Sequence, residues 1–166
     1  MNTVKFQGTE CHLKGRFPAA GAKAPEFELT TAALATIDSN AYSGKNVVLN
    51  IFPSLDTSVC AASVRRFNVE AASLHDTAVI CVSMDLPFAM GRFCETEGIK
   101  NVIAASAFRD QEFGENYGVM LADGPLRGLF TRAVVVIGKD GKVVYSQLVP
   151  EITEEPDYVK ALEALK

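Results

Sequence analysis

The stretch Asn50–Phe67, NIFPSLDTSVCAASVRRF, joins an apolar run to a helical pattern and places a cysteine at the junction. The run NVVLNIF over residues 46–52 is almost continuously apolar, which is typical of a strand buried on both faces. From Cys60 onward, apolar residues recur at alternating steps of four and three, which predicts an amphipathic helix. These apolar positions are Cys60, Val64, Phe67, Ala71 and Leu74. The stretch therefore predicts a buried strand and a helix whose apolar stripe starts at Cys60.

The rest of the chain carries further strand and helix patterns in a mostly alternating order. The apolar run over residues 77–83 (TAVICVS) predicts a second buried strand. The segment 87–98 (PFAMGRFCETEG) predicts a helix with Pro87 at its start and Gly98 at its C-terminal cap. The remaining patterns are an N-terminal hairpin (TVKFQG and CHLKG), a strand (EFELTT), polar connections up to Lys45, a short strand (NVIAASA), a short helix (QEFGENYG), a hairpin around Lys-Asp-Gly-Lys (RAVVVIGKDGKVVYSQLV) and a final helix (PDYVKALEALK) with Pro156 in its first turn.

This order of elements predicts an α/β fold of the thioredoxin-like type. It runs strand, helix, strand, helix, an insertion, and then strand, strand, helix. A parallel β-α-β unit needs a helical crossover, and the hairpin adds an antiparallel edge. We therefore expect a thioredoxin-like fold with an N-terminal β-hairpin extension and one insertion. Because the 166 residues contain no repeat or linker, we also expect residues 1–166 to form a single domain.

Composition argues against several classes of function. The net charge is −4 and Arg65-Arg66 is the densest cationic spot near a motif, so the clustered cations of a nucleic-acid-binding surface are missing. No apolar run reaches the roughly 18–20 residues of a membrane span, and the start MNTVKFQGTECH lacks the apolar region of a signal peptide. We expect a cytoplasmic protein that binds neither nucleic acid nor membrane. His12 and His75 are isolated, so no metal site is predicted.

The four cysteines are Cys11, Cys60, Cys81 and Cys94. A disulfide framework belongs to small secreted chains, whereas this chain is long enough to hold a core without cross-links. Burial is the default interpretation of a free cysteine. It fits Cys81 inside an apolar run, and it is the first interpretation of Cys94, in the second predicted helix. The surroundings of Cys11 suggest no chemistry.

Cys60 stands at the start of the first predicted helix, where two interpretations are open. The free N–H groups of a helix start stabilise a thiolate and so favour the nucleophilic form. The alternative is that Cys60 is simply the first apolar residue of the stripe. Thr57, three residues earlier, occupies the position of the first cysteine in a thioredoxin C-x-x-C pair. It fits a helix N-cap, a hydroxyl that orients substrate, or both. Pro53 ends the strand and would shield a thiolate from water.

Arg132 opens the strand of the second predicted hairpin. In the predicted topology this strand enters beside the start of the first helix, so its guanidinium would reach Cys60. There it would stabilise the thiolate and the charge that develops on a departing oxygen. The competing interpretation is an ordinary surface arginine that precedes an apolar strand.

Several blocks of the sequence together resemble the peroxiredoxins. PSLDTSVC with the distant Arg132 matches their P-x-x-x-T-x-x-C…R pattern. More narrowly, the chain resembles the bacterial thiol peroxidases, the atypical 2-Cys type, from roughly residue 3 to the C-terminus. The blocks that carry this narrower resemblance are NIFPSLDTSVCAASVRRFN, DLPFAMGRFC, DGPLRG, RAVVVI and YSQLVPEITEEPDY.

The resemblance implies a role for each of five residues. Cys60 would be the peroxidatic cysteine that attacks a hydroperoxide, with Pro53, Thr57 and Arg132 around it. Cys94 would be the resolving cysteine, and the redox-active disulfide would join Cys60 and Cys94. The implied enzyme reduces hydrogen peroxide and alkyl or lipid hydroperoxides in antioxidant defence. It needs no cofactor, is re-reduced by thioredoxin and forms homodimers.

Three other functions share features of this sequence. Cys60 and Arg66 form a C-x5-R pattern, as in cysteine-dependent phosphatases and arsenate reductases. Their phosphate loops contain glycines, and none lies between these two residues. A thioredoxin-type disulfide reductase would need a C-x-x-C pair, which the chain lacks. A redox sensor or holdase on the same fold would be oxidised stoichiometrically without turnover.

Overall fold

The two apolar runs of the sequence form neighbouring parallel strands at the centre of a mixed sheet. The computed structural model describes residues 2–166. In this part of the chain the elements are β1 (Thr3–Phe6), β2 (Thr9–Lys14), β3 (Glu28–Thr31), β4 (Thr36–Asp38), a 3-10 turn (Ser39–Tyr42), β5 (Asn46–Ile51), α1 (Ser58–Ala71), β6 (Thr77–Ser83), α2 (Pro87–Glu97), β7 (Ile103–Ser106), α3 (Phe113–Asn116), β8 (Met120–Leu121), β9 (Ala133–Ile137), β10 (Val143–Leu148) and α4 (Tyr158–Glu163).

The central sheet has seven strands in the order β10-β9-β5-β6-β7-β3-β4. Strands β5, β6 and β7 are parallel, because α1 and α2 cross back between them, while β9 and β10 are an antiparallel hairpin that adds to β5. This is the strand arrangement of a thioredoxin-like fold, as the sequence predicted. The predicted insertion between α2 and β9 contains β7, α3 and β8.

Alternation along the strands gives the sheet two apolar faces. Val48 of β5 lies on one face, in a cluster that also contains Cys60, Phe67, Met90 and Tyr158, so α1, α2 and α4 all pack there. The Phe67 ring meets the Tyr158 ring edge-on at 5.2 Å between centroids, which ties α1 to α4. The opposite face packs against α3 and the chain that precedes β5.

The N-terminal hairpin forms a second, three-stranded sheet with β8. Its first strand is tied to the segment after β10 by two backbone hydrogen bonds: the Lys5 N–H donates to the Pro150 carbonyl (2.7 Å), and the Ile152 N–H donates to the Lys5 carbonyl (2.8 Å). The Glu151 carboxylate accepts hydrogen bonds from the Gln7 and Gly8 N–H groups at the hairpin turn. The extension therefore braces the segment 149–153.

The structure differs from the sequence prediction in three local elements. The polar segment before Lys45 contains β4, a three-residue edge strand whose pairing with β3 its composition does not signal. The two-residue strand β8 exists because it pairs with β2 across a long sequence separation. The prediction of Pro156 in the first turn of the last helix is wrong. The helix begins at Tyr158, because the Asp157 side chain caps it by accepting from the Lys160 N–H. Across residues 2–166 none of the helices has the length and apolarity needed to cross a bilayer.

Candidate active site

Cys60 is the third residue of α1 and is completely buried. The helix begins at Ser58, so the thiol lies in the first turn, where backbone N–H groups lack helical acceptors and carry partial positive charge. The Arg132 Nη2 donates a hydrogen bond to the Cys60 Sγ at 3.2 Å. The structure thus brings the two residues together across 72 positions of sequence, as the topology predicted.

Arg132 is a buried cation, with 2% of its surface exposed. Its Nε donates to the Ile152 carbonyl at 2.9 Å, and its Nη1 has no hydrogen-bond partner in the described part of the chain. Over residues 2–166 no carboxylate forms an ion pair with it. A buried charge is costly without hydrogen-bond partners, and the Cys60 Sγ is one of the two acceptors that Arg132 has among these residues. The interpretation of Arg132 as an ordinary surface arginine is therefore wrong.

Thr57 and Pro53 belong to the turn that connects β5 to α1. Thr57 is at the N-cap position of α1, but its hydroxyl does not cap the helix; it donates to the Ser54 carbonyl at 3.0 Å. That bond fixes the hydroxyl and leaves its lone pairs free to accept. Thr57 is exposed and Pro53 is buried just after β5. The turn that leads to the buried Cys60 thiol therefore carries the exposed Thr57 hydroxyl.

A buried polar chain supports the first turn of α1 from the sheet. The Ser63 hydroxyl donates to the Cys60 carbonyl at 2.8 Å, and the Asn50 Nδ2 donates to the Ser63 Oγ at 3.1 Å. Asn50 and Ser63 are completely buried. Asn50 thus holds the backbone of Cys60 in place through Ser63, a role hidden in the sequence because Asn50 sits inside an otherwise apolar strand.

Cys11, Cys81 and Cys94 differ in their surroundings, and the pKa of each is raised above its ordinary value. All four are free thiols in this structure. Cys94 is half-buried in α2 and packs against the apolar cluster that contains Cys60; desolvation raises its pKa. Cys81 is completely buried and desolvation raises its pKa to about 12, which fits a structural thiol. Burial and the nearby Asp123 carboxylate raise the pKa of Cys11, which lies in the N-terminal sheet.

The raised pKa of Cys94 predicts a characteristic pH dependence of its alkylation. Only the thiolate reacts with iodoacetamide, and a thiol whose pKa lies above its ordinary value of 9.0 is mostly protonated near neutral pH. We expect the rate at Cys94 to rise about tenfold per pH unit between pH 7 and 9, without reaching a plateau. Peptide mass spectrometry of the reduced Cys60→Ser variant measures this rate. A plateau below pH 9 would contradict the prediction.

The competing C-x5-R interpretation fails on geometry. Residues 60–66 are all helical, so no loop exists whose N–H groups could converge on a phosphate. The Arg66 Nε donates to the Glu70 carboxylate at 2.9 Å and its guanidinium lies over the Tyr158 ring, so the side chain is engaged with other partners than Cys60. Within residues 2–166 no group of His, Cys, Asp or Glu side chains is arranged to hold a metal ion.

Besides Asn50 and Ser63, two further groups shape the site without having been predicted from the sequence. The Ile152 carbonyl orients Arg132, and nothing in a sequence marks a backbone acceptor. Asp85 accepts hydrogen bonds from the β5–α1 turn. It follows β6, and the carboxyl ends of the adjacent parallel strands β5 and β6 lie at one edge of the sheet. That position was a usable signal for a polar residue near Cys60.

Comparisons with known proteins agree with this geometry. The Redoxin family model matches residues 19–162. A thiol peroxidase of Mycobacterium tuberculosis is 55% identical over 165 residues and one of Corynebacterium glutamicum is 52% identical, and each match covers 99% of both chains. The solved structure of a peroxiredoxin-like protein from Aquifex aeolicus has a TM-score of 0.94 at 41% identity, covering 99% of this chain and 96% of that one. The chain therefore belongs to the Redoxin family and, within it, to the thiol peroxidases, a group of peroxidase enzymes, which confirms the resemblance found in its motifs.

Proposed function

We propose that this chain reduces hydrogen peroxide and alkyl or lipid hydroperoxides to water and alcohols, with Cys60 as the peroxidatic cysteine. The observation that carries the proposal is the 3.2 Å hydrogen bond from the buried Arg132 guanidinium to the Cys60 Sγ. This hydrogen bond joins a thiol in the first turn of a helix to a cation that has no carboxylate partner in the described part of the chain. A helix start and a neighbouring cation are the surroundings in which proteins place nucleophilic cysteines.

The first chemical step is a displacement at oxygen. The Cys60 thiolate attacks the terminal oxygen of ROOH, the S–O bond forms as the O–O bond breaks, and the leaving alkoxide takes a proton to become ROH. Sulfur is oxidised by two electrons to the sulfenic acid, and the peroxide is reduced by two. For hydrogen peroxide the leaving group becomes water.

Arg132 and Thr57 offer complementary hydrogen-bonding groups for the peroxide. The free Arg132 Nη1 donates to the oxygens, where negative charge grows as the O–O bond breaks. The Thr57 hydroxyl, which already donates to the Ser54 carbonyl, accepts the hydrogen of the terminal O–H. Pro53, buried beside this turn, limits access of water to the thiolate. This assignment makes Pro53, Thr57 and Arg132 parts of the catalytic site.

Cys94 is the proposed resolving cysteine. Its thiol attacks the Cys60 sulfenic acid, the Cys60–Cys94 disulfide forms and water leaves, so the sulfur atoms balance without a further oxidant. A disulfide requires Cα atoms within about 7 Å. Cys60 and Cys94 are free thiols on separate helices, and Cys60 is fully buried. We therefore expect residues around both cysteines to unwind locally in each cycle.

The cycle closes when a dithiol protein reduces the disulfide. We propose thioredoxin as this reductant, because the resemblance to the thiol peroxidases implies it and the chain has no C-x-x-C pair of its own. The proposed enzyme is a single domain over residues 1–166 that acts as a homodimer in the cytoplasm in antioxidant defence. No cofactor is required by the thiol chemistry.

Coupled oxidation of NADPH with thioredoxin, thioredoxin reductase and a hydroperoxide tests the function directly. We expect steady turnover with hydrogen peroxide and with an alkyl hydroperoxide. Intact-mass analysis after one equivalent of peroxide should show the loss of two hydrogen atoms, and peptide mapping should locate the bond between Cys60 and Cys94. Stoichiometric oxidation without turnover would favour the sensor or holdase alternative.

Substitution of Cys94 by serine separates the two half-reactions. We expect the variant to consume one equivalent of peroxide at the wild-type rate and to accumulate sulfenic acid at Cys60, because the first step needs only the Cys60 site. Thioredoxin-dependent turnover should fall by at least about 100-fold, since no disulfide forms for thioredoxin to reduce. NADPH oxidation and dimedone labelling measure the two effects. Cys81→Ser is the control and should keep turnover; full turnover in Cys94→Ser would contradict the assignment.

A further inference from the structure

The Asp85 carboxylate joins three hydrogen bonds from two segments of the chain. The Ser54 hydroxyl donates to its Oδ1 at 2.8 Å and the Leu55 N–H donates to its Oδ2 at 2.8 Å. The Ser83 hydroxyl, at the end of β6, donates to the same Oδ2 at 2.6 Å. Hydrogen bonds to an ionised acceptor are roughly twice as strong as neutral ones. The carboxylate is thus a strong junction between the β5–α1 turn and the end of β6.

The turn that Asp85 holds is the one that leads to Cys60. Ser54 also fixes Thr57 in this turn: the Ser54 carbonyl accepts from the Thr57 hydroxyl at 3.0 Å and from the Thr57 N–H at 3.1 Å. Leu55 is buried in the apolar cluster that contains Cys60. A displacement at Asp85 would therefore be passed to Thr57 and to the first turn of α1.

Asp85 also stands at the entrance to the helix that carries Cys94. It immediately precedes Leu86, the N-cap residue of α2, and the N-cap has no side-chain hydrogen bond of its own. A groove of about 320 Å³ lies between the turn and α2, lined in part by Leu55, Asp85, Ala89, Arg92 and Phe93. The same carboxylate therefore fixes the position of the turn relative to the start of α2.

We infer that Asp85 is a positioning residue that holds the 54–57 turn in the peroxide-reducing arrangement, and that its bonds to Ser54 and Leu55 break when Cys60 moves to form the disulfide. This inference rests on the proposed roles of Cys60 and Cys94. Two of the three hydrogen bonds come from the turn, so they oppose its unwinding. The bond from Ser83 lies within the β6–α2 segment and survives the movement. Asp85 thus favours the oxidation of Cys60 by peroxide and disfavours the formation of the Cys60–Cys94 disulfide.

Asp85→Asn tests the inference, with Asp56→Asn as its matched control. Asp56 lies in the same turn and is exposed, and its carboxylate has no hydrogen bond in the described part of the chain. Both substitutions remove one negative charge, but only Asp85→Asn removes a charged acceptor from the junction. We expect Asp85→Asn to slow oxidation of Cys60 about tenfold and to speed disulfide formation severalfold. Asp56→Asn should leave the ratio of these two rates unchanged.

The two rates are measured separately. Oxidation of Cys60 is followed by dimedone trapping in a Cys94→Ser background, and disulfide formation is followed by quenched intact mass with Cys94 present. Hydrogen exchange of the reduced proteins adds a readout that does not depend on the reaction with peroxide. The Leu55 and Thr57 amides should exchange faster in Asp85→Asn than in Asp56→Asn. If Asp85→Asn does not fold, Ser54→Ala removes one of the three bonds and should shift both rates in the same directions by less.

The outcomes distinguish this inference from the proposed function. A wild-type protein that forms no Cys60–Cys94 disulfide would overturn the proposed role of Cys94 and the predicted effect on disulfide formation. Hydrogen exchange would still test whether Asp85 holds the turn. A wild-type protein that forms the disulfide, with equal rate ratios and equal exchange in the two variants, would overturn the role of Asp85 alone.

Discussion

Replacing Cys60 by serine is expected to abolish peroxidase activity. Serine keeps the size and a hydrogen-bonding group beside Arg132, but its hydroxyl stays protonated near neutral pH and cannot displace an alkoxide from a peroxide. We expect thioredoxin-coupled NADPH oxidation to fall by at least about 1,000-fold, to the background rate. Circular dichroism should change little, because the helix and its stripe remain.

The controls for this experiment are Cys11→Ser and Cys81→Ser. Both replace a buried cysteine by the same residue, so they report the structural cost of the exchange. Cys11 lies in the N-terminal sheet, whereas the Cys81 Sγ accepts a weak hydrogen bond from the Asn50 Nδ2 at 3.7 Å. We expect both variants to retain turnover. Activity of Cys60→Ser at the wild-type level would refute the mechanism. Loss of activity in all three variants would show that buried serine, and not the missing thiolate, is responsible.

Replacing Arg132 by methionine is expected to have the second largest effect. The variant loses the donor to the Cys60 Sγ and the unpartnered Nη1, and it leaves the Ile152 carbonyl without its donor. Loss of one group that stabilises developing charge typically costs about 10²–10³ in rate. We expect oxidation of Cys60 by hydroperoxide to slow by about that factor. Quench-flow with mass detection measures it, since the chain has no tryptophan for fluorescence.

Two further variants sharpen the interpretation of Arg132. Arg132→Lys keeps the positive charge but not the planar fork, so it should recover only part of the rate, because one ammonium cannot reproduce both the Ile152 and the Cys60 contacts. Arg66→Met is the matched control, since Arg66 is exposed and binds Glu70. It should oxidise Cys60 at the wild-type rate. An equal loss in Arg66→Met and Arg132→Met would point to a general effect of net charge.

The sequence predicted the fold well because its main elements carry local signals. The alternation of apolar runs and helical stripes gave β5, α1, β6 and α2 in order, and Gly98 has the left-handed backbone of a helix C-cap, as predicted. Two of the misses have different causes, a distant pairing partner in one and a local helix cap in the other. Strand β8 has two residues and pairs with β2, and the start of α4 depends on the Asp157 cap, which overrides the propensity of Pro156 for a first turn.

The sequence by itself determined the chemistry: a cysteine in the first turn of a helix, a threonine three residues before it, and a family pattern that includes Arg132. Only the tertiary structure decided that Arg132 is buried and donates to the Cys60 Sγ, because that contact spans 72 positions and depends on how β9 pairs with β5. It also decided the supporting contacts of Asn50, Asp85 and the Ile152 carbonyl. Local patterns record which residues can react, whereas long-range packing sets the distances and the burial that let them do so.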